Sequence, residues 1–147
     1  MPIRPATLRD LAPILQLEAQ CFPPGDAFPR RTWRYLLTRP TARVLVATRR
    51  RECAGVIVGL HRKGSRVFRI YSVAVSPRHR GHGIATQLLR TLIRRRKKDT
   101  DTISLEVRED NLPARRFYEK HGFRPVQILP QYYADGATGI RYHCTLR

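Results

Sequence analysis

A short glycine-containing turn joins a strand pattern to a helix pattern between residues 67 and 98, and this junction limits the possible folds most strongly. Residues 67–75 are rich in β-branched and aromatic side chains, which favours a strand. Residues 83–98 carry apolar side chains at helical spacing. A further strand pattern follows at residues 102–107. This order predicts a βαβ crossover that connects two parallel strands.

Further patterns place this crossover within a single domain. Strand patterns at residues 43–48 and 54–61 precede the crossover and predict an antiparallel meander with it. The remaining patterns predict helices over about residues 11–21, 30–37 and 113–121 and strands over about residues 126–129 and 140–146. We therefore expect one α/β (α+β) domain over residues 1–147.

Composition points to a globular chain in a reducing compartment. The 147 residues are 41% hydrophobic, which is too apolar for a disordered chain. The chain contains no apolar run of the roughly 20 residues that span a bilayer, and its first residues lack the apolar core of a signal peptide. The three cysteines, at 21, 53 and 144, are odd in number and lack metal-ligand spacing. We expect a cytoplasmic location, with the cysteines acting as small buried hydrophobes.

The charge of the chain is strongly positive. Lys and Arg total 29 against 11 Asp and Glu, which gives a net charge of +18. Such a field favours anionic partners, namely a phosphorylated cofactor, an acidic peptide or ribosomal RNA, and disfavours polycationic substrates. The basic run at residues 94–98 admits two interpretations: cations that complement a helix C-terminus, or a surface that docks on RNA or the ribosome.

The turn at residues 76–83 has the chemistry of a phosphate site. Gly81 and Gly83 let the main chain close around an anion at the start of a helix, where amides are unpaired. Thr86 stands where a dinucleotide fingerprint needs a third glycine, and the Gly-Lys-Ser/Thr of a nucleoside-triphosphate loop is absent. Two histidines lie in this turn, but no Cys or carboxylate beside them completes a zinc set, so we expect no metal.

Three motifs together resemble one family. Arg78-x-x-Gly81-x-Gly83 resembles the R/Q-x-x-G-x-G/A signature of the GNAT superfamily of N-acetyltransferases. The segment from residue 105 to Phe123 resembles the second half of the same fold. Residues 131–136 resemble the Asn-Tyr-Tyr segment of RimI-like ribosomal-protein alanine N-acetyltransferases and other protein N-terminal acetyltransferases. The resemblance implies a mixed central sheet of about six or seven strands, with a splayed parallel pair and about four helices.

The resemblance also implies acetyl-coenzyme A as cosubstrate. Main-chain groups of the strand that ends at Val75 would pair with the pantetheine arm, and the following turn would hold the diphosphate. Asn111 would bond the pantetheine arm, and Arg115 would approach the nucleotide phosphates. The implied cofactor-binding residues are Val73, Ala74, Val75, Arg78, His79, Arg80, Gly81, His82, Gly83, Ile84, Ala85, Asn111, Arg115 and Tyr118.

Two residues match the catalytic positions of the family. Tyr118 matches the general acid, and a phenol with a pKa of about 10 can protonate a thiolate without ionising first. Glu106 matches the general base, although a carboxyl with a pKa of about 4.3 would need burial or a relaying water. Both residues also have a purely structural interpretation. Tyr118 lies on an apolar helical face and could be a core tyrosine, and Glu106 could be an exposed ion-pair partner of one of the many arginines.

The acceptor is expected to be the α-amine of a protein or peptide. At pH 7.3 an α-amine is about one-fifth neutral and a lysine only about one-thousandth, so a modest base suits the α-amine. Tyr132 and Tyr133 match the tyrosine pair beside the peptide in N-terminal acetyltransferases, or else pack a terminal hairpin. Phe28 and Tyr71 are further candidates for acceptor contacts. A small-molecule or aminoacyl-tRNA acetyltransferase and a non-catalytic RNA-binding module of the same fold remain alternatives.

Overall fold

The computed structural model describes residues 2–146, which contain seven strands and four α-helices. In chain order these are β1 (Ile3–Pro5), α1 (Leu11–Cys21), α2 (Arg30–Thr38), β2 (Ala42–Arg49), β3 (Glu52–His61), β4 (Val67–Val75), α3 (Ile84–Arg94), β5 (Thr102–Arg108), α4 (Leu112–Lys120), β6 (Arg124–Leu129) and β7 (Gly139–Thr145). Every helix and strand predicted from the sequence is present, and β1 is additional. None of the helices in this range is long and apolar enough to cross a membrane.

The strands form one mixed sheet in the order β1-β2-β3-β4-β5-β7-β6. The predicted meander is confirmed, because β2, β3 and β4 pair antiparallel. The crossover is also confirmed, since β4 and β5 are parallel neighbours joined through α3. The additional strand β1 pairs with β2 at the sheet edge, where Pro5 is tolerated although it lacks an amide hydrogen.

Helices cover both faces of the sheet and bury a separate core on each. On one face α3 packs Leu88 and Leu92, each 0% exposed, against side chains of the central strands. On the other face α1 and α2 pack Ile14 and Trp33, also 0% exposed, against β2 and β3. We call these the α3 face and the α1–α2 face of the sheet.

The parallel pair opens into a gap after three residue pairs. Strands β4 and β5 pair only from Val67 with Thr102 to Arg69 with Ser104. On the other edge of β4, Val58 pairs with Ser72 and Gly59 with Ile70, so Tyr71 is an extra residue in the ladder. Such a bulge bends its strand and increases the local twist. Beyond Arg69, β4 therefore turns away from β5, as expected for a splayed pair.

The predicted extension of α3 through residue 98 is wrong, since the helix ends at Arg94. Arg96 folds back over the helix end, where Nη1 donates to the carbonyl of Ile93 at 2.9 Å and Nε to that of Thr100 at 3.2 Å. The guanidinium adds a second donor to the Ile93 carbonyl, which otherwise accepts from the Arg96 amide at 3.3 Å. The basic run at residues 94–98 thus spans the helix terminus and the turn after it, and Arg96 stabilises both.

Candidate active site

The turn between β4 and α3 presents a row of main-chain amides. Gly81 and Gly83 have φ angles of 82° and 73°, a left-handed conformation in which glycine is unstrained. The first main-chain bond of α3 runs from Gln87 N to the carbonyl of Gly83 at 3.0 Å, so the amides of residues 84–86 lack a helical acceptor. Within residues 2–146 the amides of residues 80–83 also lack a main-chain acceptor. Residues 80–86 therefore form an anion cradle at the positive end of the helix dipole.

The side chains of this turn divide into two groups. Arg78 donates to Glu52 at 2.6 Å, and the His79 Nε2 atom lies 3.3 Å from the same carboxylate. His79 is buried, so these two side chains attach the turn to the β2–β3 hairpin. Arg80 and His82 belong to the cradle segment itself, and their side chains are exposed. Contact between all four side chains and a diphosphate stays a prediction.

The free edge of β4 faces the gap. Ser76 donates its amide to the carbonyl of Ala54 on β3 at 2.8 Å. Because successive residues of a strand turn their main-chain groups to opposite edges, those of Val73 and Val75 face away from β3. The Val75 carbonyl accepts only a weak bond from the Cys21 thiol at 3.3 Å, and Ala74 packs into the α1–α2 core. This edge can accept an extended chain such as a pantetheine arm.

Glu106 lies in β5 with its side chain on the α1–α2 face of the sheet. Its side chain is 6% exposed, and both oxygens are paired with arginines. The Arg69 Nη2 atom lies 2.7 Å from Oε1, and Arg141 Nε donates to Oε2 at 3.0 Å. The structure thus shows Glu106 as a buried ion partner of two arginines, and its role as a base stays a prediction. A direct proton transfer would require one guanidinium to give way or a water to relay the proton.

Tyr118 lies in α4, on the α3 face of the sheet. It is 6% exposed and packs edge-on against Phe117 and Phe123, with ring centroids 5.2 and 5.4 Å away. Burial raises its pKa well above the usual value, because the charged phenolate is poorly solvated there. The hydroxyl has no hydrogen-bond partner within residues 2–146. Tyr118 is therefore a neutral phenol with a proton to donate.

The two remaining candidates on this side have local partners. The Asn111 side-chain oxygen accepts from the Ala114 amide at 3.2 Å and so caps α4. Its side-chain NH₂ group is still able to donate to a ligand. Arg115 donates to the Tyr142 hydroxyl at 3.1 Å and to the Glu109 carbonyl at 2.9 Å. Its approach to nucleotide phosphates stays a prediction.

The four acceptor candidates form one aromatic wall on the α1–α2 side of the gap. Phe28 stacks on Tyr71 with centroids 5.1 Å apart, and Tyr132 meets Tyr133 edge-on at 5.0 Å. Arg69 joins the two pairs, because its guanidinium lies 5.2 Å from the Tyr71 ring centre and 3.5 Å from the Tyr132 hydroxyl. The wall therefore lies against the arginine that holds Glu106.

A buried carboxylate fixes the loop that carries Phe28. Glu18 in α1 is 2% exposed, and its Oε1 atom accepts from the Phe28 amide and the Trp33 indole, both at 2.9 Å. The Phe28 and Trp33 rings also lie 5.9 Å apart. Glu18 thus fixes the α1–α2 loop in the position where Phe28 stacks on Tyr71.

Sequence reasoning missed Glu18, Arg69 and Arg141 as site residues. Glu18 lies on the buried apolar stripe of α1, where a charge needs a partner, and this signal could have found it. Arg69 and Arg141 alternate with apolar neighbours, as half-exposed strand residues ordinarily do, so they carried no such signal. Within residues 2–146 no group of three or more His, Cys, Asp or Glu could hold a metal ion.

Comparison with known proteins concerns the family and the fold of the chain. The model of the Acetyltransferase (GNAT) family matches residues 11–123. A protein of Saccharolobus solfataricus named N-alpha-acetyltransferase is 45% identical over 69 residues, which are 46% of this chain and 41% of the relative. A Bacillus subtilis protein provisionally named ribosomal protein bS18-alanine N-acetyltransferase is 30% identical over 138 residues, 90% of this chain and 87% of the relative.

The fold matches a solved structure over nearly its full length. The ribosomal-protein-S18-alanine N-acetyltransferase of Escherichia coli superposes with a TM-score of 0.87 and 22% identity, over 99% of this chain and 93% of that one. This likeness concerns the fold. The archaeal match is shorter, since this chain spans less than half the length of the Saccharolobus solfataricus relative.

Proposed function

Since the chain belongs to the Acetyltransferase (GNAT) family, we propose that it transfers an acetyl group from acetyl-coenzyme A to the α-amine at the terminus of a protein or peptide. The observation that carries this proposal is the gap between β4 and β5. Glu106 lies on one side of the sheet at this gap and Tyr118 on the other. An amine and a thioester that enter from opposite faces would meet between them.

The cofactor side has the chemistry that acetyl-coenzyme A requires. The anion cradle at residues 80–86 offers amides and a helix dipole to the diphosphate, with Arg80 and His82 beside it. The main chain of Val73 and Val75 offers its edge to the amides of the pantetheine arm. These two contacts would orient the thioester along β4 toward the gap. The chemistry of this transfer requires no metal.

The reaction would proceed by direct attack. The neutral amine nitrogen forms a bond to the thioester carbonyl carbon, and the carbon–sulfur bond breaks. Glu106 takes the proton of the amine, through a water or after Arg69 moves aside, and Tyr118 donates its phenolic proton to the departing sulfur. Glu106 then releases its proton to the solvent, and the solvent returns a proton to Tyr118. Catalysis otherwise depends on holding the two reactants in contact.

An α-amine suits the acceptor side better than a lysine. A carboxylate is a modest base, and both oxygens of Glu106 already accept from guanidinium groups. A modest base requires an amine that is partly neutral near pH 7, as an α-amine is. The wall of Phe28, Tyr71 and Tyr132 offers flat apolar contact to the first residues of a peptide. The names of the Saccharolobus solfataricus and Bacillus subtilis relatives are consistent with this class of acceptor.

The test is mass spectrometry of acceptors after incubation with acetyl-coenzyme A. The panel holds a peptide with a free α-amine, the same peptide blocked at its terminus but carrying an internal lysine, a polyamine and an aminoacyl-tRNA. We expect acetyl transfer to the free α-amine, at a rate that falls when Glu106 is changed to Gln. Modification of only the blocked peptide, the polyamine or the aminoacyl-tRNA would refute this choice of acceptor.

Contact with RNA or the ribosome is a separate part of the proposal. Its support is the net charge of +18 and the basic run at residues 94–98. Sedimentation of the protein with ribosomes at low and high salt would test it, since electrostatic binding weakens steeply with salt.

A further inference from the structure

A groove of about 850 Å³ continues from the aromatic wall along the α1–α2 face of the sheet. It lies between α2 and the β3–β4 hairpin, and it ends at Tyr71 and Arg69 beside Glu106. The cationic and tyrosine side chains that line it are those of Tyr35, Arg39, Arg62, Lys63, Arg69 and Tyr71. We call this the basic groove.

The described lining of the basic groove carries cationic side chains and no acidic ones. None of the described residues that line the groove is Asp or Glu. Four cationic residues line it, namely Arg39, Arg62, Lys63 and Arg69. Arg69 is committed to Glu106, whereas Arg62 and Lys63 are exposed at the hairpin tip. A concave surface with charges of one sign concentrates the field inside it. The groove is therefore suited to an anionic chain.

Aromatic surface lies among these charges. Tyr35 is 54% exposed, and the Arg39 guanidinium lies 4.7 Å from its ring centre. At the other end Arg69 lies over Tyr71 in the same way. Arginines stacked on aromatic rings are pre-organised, so less side-chain freedom is lost when they pair with carboxylates. This favours a carboxylate-bearing peptide over a diffuse counterion layer.

We propose that the basic groove binds acidic side chains of the acceptor polypeptide, at roughly positions three to six from its amino terminus. The inference depends on the proposed function, because it places the amine at Glu106. From Tyr71 to Val67 the groove follows four residue steps of β4, which is about 13 Å at about 3.3 Å per residue. An extended peptide that leaves the gap along this strand would cross the groove with about four residues. Proteins with acidic amino-terminal segments are then the preferred acceptors.

The experiment compares two peptides with the same first two residues. One carries Asp and Glu at positions three to six, and the other carries Asn and Gln there. The variant Arg62→Gln/Lys63→Gln removes two groove charges, and Arg90→Gln/Arg94→Gln removes two exposed charges from α3 on the opposite face of the sheet. KM and kcat are measured for each peptide with each protein, at low and high salt.

We expect the native protein to favour the acidic peptide through KM. The groove variant should raise the KM of the acidic peptide roughly three- to tenfold, the range of two partly exposed ion pairs, and leave the neutral peptide unchanged. The α3 variant should match the native protein. The preference should shrink as salt increases, because exposed charges are screened.

The possible failures are distinguishable. Equal KM values for both peptides, with the α-amine still acetylated, would overturn the inference and leave the proposed function standing. No acetylation of either peptide would overturn both. If the α3 variant raised the KM of the acidic peptide as much as the groove variant does, net charge alone would explain the effect and the inference would be overturned. A groove variant that binds polyuridylate more weakly but keeps its peptide KM would make the groove an RNA surface instead.

Discussion

Replacing Tyr118 with phenylalanine removes a single hydroxyl group from the site. The ring packs between Phe117 and Phe123, and the phenylalanine ring would keep both contacts. The hydroxyl has no hydrogen-bond partner within residues 2–146, so its loss leaves no buried group unpaired. We expect the free energy of unfolding to change by less than about 1 kcal/mol. The variant therefore separates catalysis from folding.

The catalytic cost should be much larger. A positioned general acid contributes about 100- to 10,000-fold, which corresponds to about 3–5 kcal/mol of barrier height. We expect this loss in kcat, with little change in the KM of the peptide or the Kd of acetyl-coenzyme A. Because burial raises the pKa of Tyr118, kcat of the native enzyme should not fall through loss of this proton below about pH 10.

The assay is steady-state acetylation of one peptide by the native protein and the Tyr118→Phe variant, with calorimetric binding of acetyl-coenzyme A. A second acetyl thioester with a more acidic thiol should narrow the difference in kcat, since its thiolate leaves with less need of a proton. A variant within about threefold of the native rate would show that the proton comes from elsewhere. A constant difference with both thioesters would also contradict the assignment.

Two further predictions concern stability. Changing Glu18 to Ala should lower the free energy of unfolding by about 3–5 kcal/mol in urea titrations, because the Phe28 amide and the Trp33 indole lose a shared acceptor; it should also raise the peptide KM. Glu18→Gln keeps a carbonyl oxygen at that position and should lose less than half as much, and equal losses would contradict this account. The hydrogen bond from Arg4 holds the pKa of Asp10 below its usual value. The stability that this bond adds is complete above about pH 4 and is lost as the pH falls below it. The urea midpoint of the Asp10→Asn variant should therefore depend less on pH between about 5 and 2 than the midpoint of the native protein does. Parallel curves for the two proteins would refute this account.

The sequence was sufficient for the elements whose signals are local. The meander, the crossover through α3 and the turn at residues 76–83 depend on the period of apolar side chains and on glycine, proline and capping residues close in the chain. The bulge at Tyr71 and the end of α3 at Arg94 carried no such signal. Both depend on contacts with other segments, since the bulge forms against β3 and Arg96 caps the helix with help from Thr100.

The partners of Glu106 show the same division at the site. Its position in β5 and its match to a family base could be read from the chain, but Arg69 and Arg141 lie 37 and 35 residues away. With 29 Lys and Arg in the chain, no local rule selects these two. Only the pairing of β5 with β4 and β7 brings them to the carboxylate. Sequence patterns determine which groups are present and on which element they lie. Ion pairs and grooves join groups that are distant in the chain, and only tertiary packing decides which of these groups come close together.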